Sequence, residues 1–95
     1  MVARQNTQAL VASAFPGRES LVERCYRASS SFRDLCGDYR RCAAALERWR
    51  RSEGDASSSR AREYAGLLAE LAQEIESWLD AIANSQELTR RNGAR

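Results

Sequence analysis

Two stretches of this chain repeat apolar residues at alternating intervals of three and four, a period that leaves little choice of fold. Phe32, Leu35, Tyr39, Cys42, Leu46 and Trp49 form the first run, and Tyr64, Leu68, Leu71, Ile75, Trp78 and Ile82 form the second. On an α-helix such residues line one side as the a and d positions of a heptad, whereas a strand would scatter them over both faces. Continued backward, the first frame takes in Ala28, Cys25 and Leu21. The expected fold class is all-α.

Punctuation between the runs sets the expected architecture. Residues 52–59, Ser-Glu-Gly-Asp-Ala-Ser-Ser-Ser, contain no large apolar group and read as a loop. Phe15-Pro16-Gly17 marks the start of structure, because proline is tolerated in a first helical turn. Within Ser29-Ser30-Ser31, the pair Ser31 and Asp34 has capping-box spacing and predicts a new helix from Ser31. Residues 1–14 lack a sustained period and are expected as an N-terminal tail, and Asn92-Gly93 predicts a stop with a tail over 92–95. One domain over 15–91 results, with helices at about 17–28, 31–51 and 58–90. Two long helices joined by a short loop should lie antiparallel, so the expectation is a helical hairpin with a short extra N-terminal helix.

The positions flanking the two seams carry a second expectation. In a two-stranded coiled coil the e and g positions bear charge, yet here Cys36, Ala43, Ala45, Leu67, Ala72, Leu79 and Ala81 occupy them. That apolar stripe is wider than one partner helix covers. The chain is expected to assemble with itself into a multi-helix bundle, as a homodimer or higher, or to be completed by another protein.

Composition narrows the chemistry. Histidine is absent, which excludes a His-ligated metal, a His general base and any His-containing triad. Three cysteines, at 25, 36 and 42, match no zinc or redox spacing and are expected as small apolar groups in a reducing, cytoplasmic setting. Ala12-Ser13-Ala14 resembles a signal-peptidase site, but the segment before it is too short and polar for an apolar leader. No apolar run approaches the roughly 20 residues needed to span a bilayer, so no membrane role is expected. Glu70, Glu74 and Glu76 read as a solvated acidic face. No catalytic residue, metal or cofactor is expected, and the chain is read as a non-enzymatic interaction or scaffold module, an adaptor or small chaperone-like protein.

Charge is divided along the chain. All 15 basic residues are arginine; ten stand in residues 1–52 against five acids, and five stand in residues 53–95 against eight. The simplest consequence is two arms that attract each other. An alternative reserves a basic face of Arg33, Arg40, Arg41, Arg48 and Arg51 for nucleic-acid phosphates, although Glu23 with Arg27 and Glu47 with Arg51 have the spacing of internal ion pairs.

The order Phe15-Pro16, Leu21-Val22, Ser31-Phe32-Arg33-Asp34-Leu35, Tyr39, Ala45-Leu46-Glu47-Arg48, a Gly/Asp loop and then Leu67 to Ile75 resembles the YdcH-like family of short bacterial helical-hairpin proteins. The resemblance covers about residues 15–80. Tyr39 stands where that family often has His, Cys42-Ala43 replaces a Leu-Asp pair, and the loop is longer. The resemblance implies a bacterial, cytosolic helical hairpin with no established activity. Small helical-hairpin chaperones of bacterial secretion systems are similar in size and period.

Overall fold

A computed structural model describes the backbone of residues 2–93 and the side chains of 7–54 and 57–85. The described backbone is helical, with no strand: α1 spans Val2–Ala14, α2 Glu19–Ala28, α3 Ser30–Arg51 and α4 Asp55–Gly93.

The junctions follow from local chemistry. Gly17 (φ +86°) and Gly54 (φ +116°) adopt the left-handed backbone that glycine enters at low cost, and each sits just before a helix. Before α2 no side chain caps Arg18. Instead the Glu19 carboxylate accepts a hydrogen bond from the Gly17 N–H at 3.2 Å. Hydrogen bonds from its own amide and from that of Gly17 hold the Glu19 carboxyl below the usual range. At the next junction Ser29 is extended (φ −136°, ψ 122°) and its Oγ accepts from the Phe32 N–H at 3.1 Å. The cap is therefore Ser29 and not Ser31, because the break in helical backbone falls one turn before Phe32. At its far end α2 is closed by Arg33, which donates to the carbonyls of Tyr26 (2.6 Å) and Arg27 (3.3 Å).

Other boundaries also differ from expectation. The loop between α3 and α4 shrinks to Ser52, Glu53 and Gly54, since Ser57 Oγ donates to the Glu53 carbonyl and draws the serine stretch into the first turns of α4. Helix α4 continues to Gly93, so the expected tail over 92–95 begins inside it, and residues 94–95 lie outside the described ones. Residues 2–14, expected as a tail, are helix α1, which buries Val11 (0% exposed) and Thr7. Met1 lies outside the described residues.

Burial is concentrated at one end of the molecule. Phe32, Ile75, Leu79, Val11, Val22 and Cys36 are the largest fully buried side chains, and they come from all four helices. Helix α1 packs on α2 and α3, while α2 packs on α3 and α4. Phe32 meets Trp78 edge-on, with ring centroids 5.7 Å apart. Further along, Cys42 Sγ donates to the Tyr64 carbonyl at 3.3 Å. Arg18 and Asp80 form an ion pair at 2.7 Å that ties the start of α2 to α4. The 39 residues of α4 reach about 58 Å at 1.5 Å per residue. Extents of 63 × 29 × 21 Å and a radius of gyration of 16.1 Å, against about 12 Å for a compact chain of this length, describe a rod thickened at one end.

Two expectations are corrected by this packing. Cys36 and Leu79, assigned to the flanks that should require a second chain, are fully buried because α1 and α2 cover that side. Part of the wide stripe is thus satisfied within the chain. The attraction between the basic and the acidic half is realised in one ion pair among the described residues, Arg18 with Asp80, and not between the two long helices. Arg27 with Glu23, Arg41 with Asp38, Arg51 with Glu47 and Arg60 with Glu63 each pair within one helix, and among the described residues none joins α3 to α4. The seam edges hold alanine and leucine where bridging charges would have to stand.

Candidate interaction surface

The seam loses its cover toward the α3–α4 turn. There Cys42 and Leu46 are buried, but Tyr39, Trp49, Tyr64, Leu68 and Leu71 are half-buried. At the thick end Phe32, Leu35 and Ile75 are buried, and Ile82 is partly so. Most of the seam residues therefore divide by place, although Trp78 is exposed beside the buried Phe32 and Cys42 and Leu46 stay buried toward the turn.

An open groove of about 350 Å³ lies between α3 and α4, lined by Asp38, Arg41, Cys42, Ala45, Tyr64, Leu67 and Leu71. Leu67 is 44% exposed on its wall. Trp78 is 36% exposed and stands seven residues after Leu71, which places it on the same helical stripe. Exposed leucine and indole surface is costly in water, by roughly 25 cal/mol for each Å² of apolar surface left wet.

Charged columns border the groove. On α3 the positions 34, 38, 41, 45 and 48 recur at intervals of four and three, giving Asp34, Asp38, Arg41, Ala45 and Arg48 along one edge. On α4 the corresponding edge is Arg60, Glu63, Leu67, Glu70 and Glu74. Asp34, Arg48, Glu70 and Glu74 are exposed.

The expected basic face is partly engaged within the chain. Arg33 caps α2, Arg41 pairs with Asp38 and Arg51 pairs with Glu47 at 3.3 Å, while Arg40 and Arg48 make no ion pair among the described residues. Sequence reasoning passed over a second hollow of about 370 Å³ beside the α3–α4 turn, where Trp49, Arg50, Ser58 and Arg62 meet. Neither Arg50 nor Arg62 has an acidic partner among the described residues. Twelve residues of chain separate them, so no sequence spacing announces their meeting.

The three thiols are packed as apolar groups. Cys25, Cys36 and Cys42 are free and buried. Burial pushes all three thiols up, that of Cys36 to about 12. They are protonated at neutral pH, which removes the thiolate that nucleophilic or redox chemistry requires. Among the described residues no group of His, Cys, Asp or Glu could hold a metal ion, and no helix is long and apolar enough to cross a membrane.

What these features define, among the described residues, is a helical chain with an open apolar groove. Comparison with family models, with curated proteins and with solved structures gives no match for it.

Proposed function

We propose that this chain is a non-enzymatic interaction module, a helical hairpin of α3 and α4 that associates with itself and serves as an adaptor or small chaperone-like scaffold. The observation that carries this reading is the groove edged by Leu67: α1 and α2 cover one side of the seam, and this side is left open among the described residues. A chain of 95 residues has little apolar surface to leave wet, so a partner that buries the groove contributes directly to its stability. Multi-angle light scattering of the purified chain is the direct test. A dimer or larger species supports the reading, and a stable monomer at high micromolar concentration removes it.

One observation favours a second reading, arginine-mediated binding of nucleic acid: Arg50 and Arg62 share a hollow and have no acidic partner among the described residues. Fluorescence anisotropy with non-specific duplex DNA and RNA, titrated with salt, separates the two. Micromolar binding that falls steeply with salt supports this second reading, and its absence at low salt eliminates it.

A further inference from the structure

Self-association through a two-fold axis requires a surface complementary to itself, and one edge of the groove has that property. Along α3 the charges at 34, 38, 41 and 48 read minus, minus, plus, plus. Reversed, the same column reads plus, plus, minus, minus. Two copies laid antiparallel about the midpoint between Asp38 and Arg41 therefore set Asp38 opposite Arg41 and bring Arg48 within one helical turn of Asp34. Laid parallel, they set like against like.

Levels along the seam locate the axis. The contacts of Phe32 with Trp78 and of Cys42 with the Tyr64 carbonyl place Asp38 about level with Glu70, and the midpoint between Asp38 and Arg41 about level with Leu67. The centre of the charge column and the exposed leucine thus stand at one height. On α4, reversal about Leu67 is less decisive: Glu74 falls opposite Arg60, while Glu70 falls opposite Tyr64, next to Glu63. A two-fold axis along the helices would instead bring Asp34 and Asp38 beside the acids Glu74 and Glu70 of the second copy, which is repulsive.

We infer that a second copy of this chain docks face to face on the groove about a two-fold axis that crosses the helices at Leu67. In this arrangement α3 runs antiparallel to its counterpart, Asp38 faces the partner's Arg41, Asp34 lies within one helical turn of the partner's Arg48, and Leu67 meets the partner's Leu67. The groove is buried on both copies, and the ion pairs at its edge fix register and direction rather than supplying most of the affinity. This inference rests on the self-association reading and specifies its geometry.

Charge reversal tests it without touching the core. The double variants D34R/D38R and R41E/R48E alter exposed positions only. Each should weaken its own dimer by about a hundredfold at low salt, since four attractive pairs become repulsive. Mixed, the two should form a heterodimer, and the quadruple variant carrying all four reversals should dimerise like the original chain. Independently, L67C should cross-link to itself under mild copper-phenanthroline oxidation, whereas E76C, on another side of α4, should not. Circular dichroism checks that each variant is folded. A wild-type dimer that ignores both charge reversals, or in which L67C fails to cross-link, overturns the geometry and leaves the proposed function standing. A wild-type monomer overturns both.

Discussion

Ser29 and Ser31 differ by two positions and only one of them starts a helix. Spacing alone favoured Ser31, three residues before Asp34; the structure uses Ser29, three residues before Phe32. The choice depends on where the backbone must turn so that Phe32 enters the core, and that is a tertiary condition. Ser29→Ala should destabilise the fold by about 1 kcal/mol and Ser31→Ala by far less, as urea melts would register. Cys36 gives a second residue-level expectation. Below pH 9.0 its thiol is protonated in folded and unfolded chains alike; between pH 9.0 and about 12 the unfolded chain releases a proton that the folded chain keeps. Stability should fall across that window. Because tyrosines titrate there as well, the comparison is with Cys36→Ala, whose melts should lose less stability between those limits; equal losses would show that Cys36 does not contribute.

Among the elements, the heptad runs in α3 and α4 were legible because every turn repeats the same statement. Six positions in each run agree on one face, and α3 packs against α4. Helix α1 was not legible. Among its described residues only Thr7 and Val11 are buried, one turn apart, while Leu10 is 37% exposed, so its apolar residues do not mark a single face. Its docking is decided by α2 and α3, which no period within residues 2–14 encodes. The same cover explains why Cys36 and Leu79 lie deeper than their flanking register suggested. Val11→Ala should therefore cost about 2 kcal/mol, and hydrogen exchange should show α1 amides losing protection before those of α3. Loss of protection in all helices together would mean that α1 is integral to the cooperative unit.

For the whole molecule, the distinction that matters is between residues that hold the fold and residues that face outward from it. Leu46 is 6% exposed and Ile75 0%, so Leu46→Asp or Ile75→Asp should unfold the chain. Leu67→Asp should leave the circular dichroism spectrum unchanged while lowering the mass seen by light scattering to that of the monomer. If Leu67→Asp also abolishes the melting transition, the groove belongs to the core. The paired acids and paired arginines of 34, 38, 41 and 48 were always present in the sequence. What they face became readable only once Phe32 met Trp78 and Cys42 met Tyr64, which sets α3 and α4 at a common height.

The turn at Gly54 has one more consequence. Helices α3 and α4 pack along their lengths, whereas the Gly54 carbonyl only accepts hydrogen bonds from the first turn of α4, at Ser57 and Ser58. Severed there, residues 1–53 and 55–95 would each retain one half of the seam and should find each other again in solution. The three-residue connection then acts as a tether. It supplies effective concentration, turning what is physically an association of two pieces into the folding of one.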